Sequence, residues 1–255
     1  KQDAISADKN KNPRLPLQGL PVMVKDNIAI QGMPTTAGSL ALANNVASND
    51  AFIVAKLRAA GAVLAGKTNL SEWANFRSTK STSGWSSAGG QTRNPYNLGK
   101  TPCGSSSGSG AAVAARLIPA AIGTETDGSI VCPAAVNGLV GFKPTLGLVS
   151  RTGIVPLSHS QDTAGPMTLT VRDAALLMNV IAGSDPSDMA TKAADQHKVD
   201  YTQGLDPQAL KGKRIGIVSK LVKGYDKQTL ALFNRSVEIL KAQGAIIIDQ
   251  VEIPH

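Results

Sequence analysis

Strand-like apolar stretches alternate with helix-patterned stretches along most of this chain of 255 residues, and that alternation narrows the folds open to it. PVMVKDNIAI (Pro21–Ile30) is apolar and β-branched and reads as a strand carrying Lys25. AFIVAKLRAA places Ile53, Val54, Leu57 and Ala60 on one helical face, with Asp50 as its N-cap and Gly61 closing it. AVLAG is then a short buried strand. PAAIGTETDGSI reads as a strand followed by a turn. Thr170 to Ala182 is a helix whose Thr170 and Asp173 form a capping pair. Later, RIGIVSK, TLALFNRSVEILKAQG and AIIIDQVEI give a β-α-β order, which implies parallel pairing. The middle helix carries Leu230, Phe233, Val237 and Leu240 on one side. Residues 1–20 read as a polar arm, and 184–212 as a polar loop. With no repeat and no clear linker, residues 1–255 read as a single domain of the α/β class.

Composition removes several function classes. No run approaches the ~18 uninterrupted apolar residues of a membrane span, so a membrane role is not expected. The net charge of +8 is spread out. Its only tight cluster is Lys211, Lys213 and Arg214. Aromatic residues are 4% of the chain and do not interleave with it, which argues against nucleic-acid binding. The two cysteines, Cys103 and Cys132, suit neither a disulfide framework nor a zinc site by number and spacing. His159, His197 and His255 show no ligand spacing, so no metal is expected. The opening residues KQDAISADKNKNPR lack the apolar core of a signal peptide. A leader already removed, giving a periplasmic or secreted protein, and a cytoplasmic location both fit a soluble chain.

Three stretches carry candidate chemistry. GAVLAGKT (Gly61–Thr68) matches the phosphate-loop pattern, but its first glycine ends a helix and its middle reads as a strand, the reverse of the required order. GSSSG (Gly104–Gly108) matches a nucleophile elbow centred on Ser106, with Asp162 and His197 as the partners chain order allows. The preceding NPYNLGKTPC is a loop where an elbow needs a buried strand. GTETDGSI is the third. It sets Ser129 at a tight turn, where the N–H groups of Thr126, Asp127, Gly128 and Ser129 can form an anion-binding nest. A nucleophile beside such a nest is what acyl transfer requires. Glu125 and Asp127 read there as turn formers or a helix cap, with Asp127 ordering the turn. Lys25 is the candidate base, since burial in an apolar strand lowers a lysine pKa. A strand lysine can equally reach water from a sheet edge, and the pattern leaves both readings open.

At these residues the sequence resembles the amidase signature family. GLPVMVKDNIAIQGMPTTAGS, GKTNLSEWA and CGSSSGSGAAVAARLIPAAIGTETDGSIVCPAAVNGLVGFKPT match its successive blocks, and the likeness runs from about Asp3 to Ile253, with a signature core near 60–170. SHSQDTAGP (Ser158–Pro166) also matches, with Asp162 read as structural. The resemblance implies a mixed, largely parallel β-sheet core covered by α-helices. Family members are usually longer, so the fold is expected to be incomplete at its C-terminal end, with a further portion of the same protein as a partner.

The resemblance also implies a Ser–cis-Ser–Lys triad: Ser129 as nucleophile, Ser105 as bridging serine and Lys25 as base. Ser106 supports the network, and the nest from Thr126 to Ser129 holds the oxyanion. No cofactor is implied. Departures from the family pattern are Cys103 before Gly104, Asp127 in place of a glycine, Val131 in place of an arginine, and Cys132 after it. These bear on substrate preference and leave the triad intact. Within the family the likeness is strongest to enzymes that remove the C-terminal amide of peptides. The expected function is therefore release of ammonia from primary amides. Two alternatives are the glutaminase subunit of a tRNA-dependent amidotransferase and a non-catalytic binding module on the same core.

Overall fold

The computed structural model describes residues 15–249 and 251–253. The arm expected over residues 1–20 lies largely outside the described residues. The chain forms two compact units, Lys1–Thr202 and Gln203–His255, which divide inside the polar segment 184–212. The first unit contains β1 (Pro21–Lys25), α1 (Phe52–Ala59), β2 (Val63–Thr68), β3 (Trp85–Ser86), β4 (Gly90–Gln91), α2 (Ser107–Ala114), β5 (Ala120–Glu125), α3 (Val131–Val136), β6 (Val140–Gly141), β7 (Thr163–Thr168) and α4 (Val171–Ile181). The second contains β8 (Arg214–Gly216), α5 (Lys227–Ala242) and β9 (Ile246–Ile248). Single helical turns occur between these elements.

A five-stranded sheet of order β2-β1-β5-β7-β6 organises the first unit. β1 lies parallel to both neighbours, pairing Val22 with Leu64 on β2 and with Ala120 on β5. β7 runs antiparallel to β5 and to β6, so the sheet is mixed. Alternation along the strands sends side chains to opposite faces. Val22, Val24 and Ile122 pack with Ile53, Val54 and Leu57 of α1 and Leu177, Met178 and Ile181 of α4. Ala121 joins Val113 of α2, with Met23 packed against them. Helices thus cover the sheet on both faces. β5 and β7 are buried at every residue.

The local signals mostly hold, with corrections: the strands read over RIGIVSK and AIIIDQVEI shorten to Arg214–Gly216 and Ile246–Ile248, a helical turn follows at Ser219–Val222, and two readings in the first unit change. Gly61 has a φ of +87°, and the N–H groups of Gly61 and Ala62 donate to the carbonyls of Arg58 and Leu57, closing α1 as a Schellman motif. Thr170 caps α4 and accepts the Asp173 N–H. Asp50, however, does not cap α1. Its carboxylate instead accepts the Gln31 N–H and pairs with Arg58 at 2.7 Å, and Ala51 occupies the cap position. The strand read over Pro21–Ile30 stops at Lys25. There the Ile28 N–H folds back to the Lys25 carbonyl, although Ile28 and Ile30 remain fully buried. In the second unit β8 and β9 pair in parallel, as the β-α-β order requires. Leu230, Phe233, Val237 and Leu240 are the half-buried residues of α5.

Candidate active site

Alternation along β1 turns Lys25 to the same side as Met23, toward α2. Ser105 stands just ahead of that helix. The Lys25 ammonium nitrogen lies 2.7 Å from Ser105 Oγ, 2.8 Å from Thr124 Oγ1 and 3.2 Å from the Thr124 carbonyl oxygen. Lys25 and Ser105 are both fully buried. Burial is the main influence on the lysine and brings its pKa down from 10.5 to about 7, against opposing pulls from Glu125 and then Asp162. The reading of Lys25 as a water-reaching edge residue is therefore wrong: β1 is internal, with a partner on each side.

The serine–glycine run is a packed helix start. Its peptide bond Gly104–Ser105 is cis. A Cβ on Gly104 would sit 2.3 Å from Ser71 Oγ, and one on Gly108 would sit 2.5 Å from the Asn69 carbonyl oxygen. The Ser71 N–H donates to the Ser105 carbonyl, and Ser107 Oγ donates to that of Cys103. Ser106 Oγ donates to the Thr124 carbonyl and accepts the Thr124 N–H, an approach that Gly123, lacking a side chain, leaves open. Ser106 thus holds the Thr124 backbone on both sides.

Ser129 follows the turn after β5 and is buried. The Ser106 N–H donates to the Ser129 carbonyl at 3.1 Å, which lays the two serine segments side by side. The Ser129 hydroxyl makes no hydrogen bond to a described atom, and no Ser105–Ser129 bond is formed. Catalytic hydrogen bonds often close only around a bound substrate. The N–H groups of Thr126, Asp127, Gly128 and Ser129 donate to no described atom and so remain available to a ligand, with Gly128 at φ +75°.

Asp127 does not order this turn as expected. It is exposed, and its carboxylate bonds no described atom. Two other carboxylates do the work. Glu125 Oε2 accepts the Ile130 and Val131 N–H groups at 2.7 and 2.9 Å, capping α3. Asp162 accepts the Thr126 hydroxyl at 2.6 Å and the Leu157 and Ser158 N–H groups, the structural part read for it. Both line a cleft of about 270 Å³, together with Asn27, Thr126, Arg151, His159 and Asp188. Arg151 binds Asp188 through Nε and Nη2, and those hydrogen bonds hold the Asp188 carboxyl down to about 2.

The competing motifs come apart. Gly61–Thr68 is largely β2, paired in parallel with β1, and Lys67 pairs with Asp26 at 2.9 Å. Ser106 contacts no base, and His197 lies exposed in a single helical turn after α4. The cysteine expectation is also overturned. Cys103 and Cys132 form a disulfide with their Cα atoms 5.9 Å apart. Their spacing could not announce it, because the approach depends on the tertiary contact between the two serine segments. Two residues of the site went unread: Thr124, which contacts Lys25 twice, and Asn27, whose Nδ2 donates to Thr124 Oγ1 at 3.0 Å. The strand read over Pro21–Ile30 ends at Lys25, so Asn27 sits in the turn that follows and no strand spacing pointed to it.

A buried serine–lysine pair lies beside a second serine on a turn whose N–H groups donate to no described atom, an arrangement suited to acyl transfer. The Amidase family model matches residues 1–255, and the chain belongs to that family. It is 46% identical over 252 residues to a probable amidase of Arabidopsis thaliana, covering 97% of this chain and 48% of the relative. The A-type subunit of the glutamyl-tRNA(Gln) amidotransferase of Desulforapulum autotrophicum is 46% identical over 259 residues, with 99% and 51% covered. The native peptide amidase of Stenotrophomonas maltophilia superposes with a TM-score of 0.94 at 53% identity, over 99% of this chain and 52% of that one. The chain thus spans about half the length of the relatives it matches.

Proposed function

We propose that the protein hydrolyses primary amides to ammonia, with the C-terminal amide of peptides as substrate, through an acyl-enzyme on Ser129. The observation that carries this is the fully buried Lys25 amine, 2.7 Å from Ser105 and with a pKa of about 7. Neutral Lys25 takes the Ser105 proton as Ser105 takes that of Ser129. Ser129 Oγ then attacks the amide carbon. Thr126 to Ser129 supply N–H groups to the oxyanion, and one such donor is worth ~2.7–4 kcal/mol. The proton returns through Ser105 to the departing nitrogen, the C–N bond breaks, and ammonia leaves. Water, deprotonated by the same relay, cleaves the ester to the acid and restores Ser129.

Likeness to peptide amidase, also solved in complex with the inhibitor chymostatin, supports the peptide substrate. Likeness to the amidotransferase protein gives a second reading, in which glutamine supplies ammonia to a partner protein. Ammonia release from peptide amides, simple amides and glutamine, the last with and without ATP and charged tRNA, separates the two. Peptide amides should turn over without ATP. Turnover of glutamine alone, stimulated by ATP and tRNA, overturns the first reading. A fluorophosphonate should label Ser129; a chain that neither labels nor turns over any amide is a binding module.

A further inference from the structure

The proton inventory around Lys25 raises a question that Ser105 alone does not answer. Its nitrogen has three neighbours: the hydroxyls of Ser105 and Thr124 and the Thr124 carbonyl. An ammonium donates to all three. A neutral amine has two N–H groups and one lone pair, so one neighbour must turn its own proton toward the nitrogen. The carbonyl has none to give. If Ser105 gives its proton, the relay runs. If Thr124 gives instead, the lone pair is occupied and the base is blocked. The direction of the Thr124 hydroxyl proton therefore decides whether Lys25 can act.

On the other side of that hydroxyl stands the Asn27 side-chain amide, 2% exposed, with Nδ2 at 3.0 Å from Thr124 Oγ1. Its Oδ1 is buried and without a partner. Turning the amide about its Cβ–Cγ bond therefore sacrifices no bond made by Oδ1. With Lys25 charged, Thr124 Oγ1 accepts from both Lys25 and Nδ2. With Lys25 neutral, the turned amide presents Oδ1, which accepts the Thr124 proton. Backbone bonds fix both residues: the Val155 N–H donates to the Asn27 carbonyl, and Ser106 Oγ clasps the Thr124 peptide groups on both sides. We propose that Asn27 is a positioning residue for the base: acting through the Thr124 hydroxyl, its amide keeps the Lys25 lone pair turned toward Ser105.

This rests on Lys25 as the base, and the test keeps the two ideas apart. The charged groups bearing on Lys25 are Glu125 at the end of β5 and Asp162 ahead of β7, and both stay untouched. Ammonia release from a peptide amide is followed against pH for wild type, Asn27→Leu, Thr124→Val and the double variant in the full-length protein. Asn27→Leu should lower kcat at least tenfold with KM little changed, and should move the acidic limb to lower pH, because a Thr124 proton on the lone pair favours the neutral amine. On the Thr124→Val background the same change should alter kcat less than twofold and leave the limb in place. An equal loss on both backgrounds, or an unmoved limb, overturns the proposal. If Asn27→Leu does not fold, Asn27→Asp serves. Its carboxylate can only accept the Thr124 proton, so the plateau rate should survive and the limb should rise; a lost plateau overturns the idea. Lys25→Met with wild-type turnover sinks the triad reading instead, whereas a failed cycle beside an inactive Lys25→Met enzyme removes only the role of Asn27.

Discussion

Lys25 is fully buried and forms no ion pair among the described residues, so its environment favours the uncharged amine. Two consequences follow: the buried lysine serves the reaction and costs stability, and a rise in pH favours both the rate and the fold. The rate depends on the neutral form, so kcat/KM should rise with pH around a midpoint of about 7, with a slope of one proton. Lys25→Met should lower it by about 10²–10⁴-fold, the usual worth of a general base. Stability follows the same titration from a lower starting point. Below about 7 both folded and unfolded chains are protonated, and the folded one carries the whole cost of a buried ammonium. Between about 7 and 10.5 the unfolded chain holds a proton the folded chain has released. Across that window the wild-type chain therefore gains stability as pH rises, while a neutral methionine at the same place shows no such dependence at any pH. The folded pKa lies below the unfolded one, so the penalty of burying Lys25 is absent above about 10.5, grows as pH falls from about 10.5 to 7, and is complete below about 7. Lys25→Met should therefore unfold at higher urea than wild type at pH 6. The gap should hold near pH 7, narrow as pH approaches 10 and nearly close above 10.5. A gap that widens with pH would remove burial as the cause of the shift.

At the scale of elements, the placing of Ser105 depends on how closely α2 approaches its surroundings. Gly108 shows the balance. Alanine there gains up to ~1 kcal/mol of helix propensity, but its Cβ would meet the Asn69 carbonyl oxygen at 2.5 Å and the Asn69 nitrogen at 2.7 Å, both backbone atoms that cannot swing aside. The clash should win. Gly108→Ala is expected to lower the melting temperature and the rate together, while Gly204→Ala, with open space around it, should change neither. Equal melting temperatures for the two variants would mean that the serine–glycine run is not closely packed against Asn69. That packing was invisible in composition, where seven serines and glycines look like flexible chain. Period and caps revealed α1, α4 and α5 because those helices announce themselves through their own apolar faces. The blocks of the family likeness assembled Lys25, Ser105 and Ser129. Asn27 and Thr124 stayed hidden because their significance is mutual: neither residue means anything until a fold sets them 3.0 Å apart.

Over the molecule as a whole, the candidate site is assembled from segments far apart in sequence, and a covalent tie holds two of them. Cys103 lies two residues before Ser105, and Cys132 three after Ser129, so the disulfide joins the flanks of both serines across a separation of 29 residues. Hydrogen bonds also span the junction, from the Ser106 N–H to the Ser129 carbonyl and from Asn137 Nδ2 to the Pro102 carbonyl. Each is worth only ~0.5–1.5 kcal/mol net. The disulfide removes about 3–4 kcal/mol of unfolded-state freedom for a loop of this length. It should therefore dominate the stability of the junction. Treatment with dithiothreitol, or the paired change Cys103→Ser with Cys132→Ser, should lower the melting temperature by several degrees. It should also reduce turnover more than substrate affinity, since both serines lie inside the 29-residue loop, whereas of the cleft walls only the part around Glu125 and Thr126 does and Arg151, His159 and Asp188 lie outside it. Reoxidation should restore both, with the double-serine variant as the control that reductant does not affect. Full turnover and an unchanged melting curve after quantitative thiol titration would mean that the packing of α2 holds the two serines in place without the covalent tie.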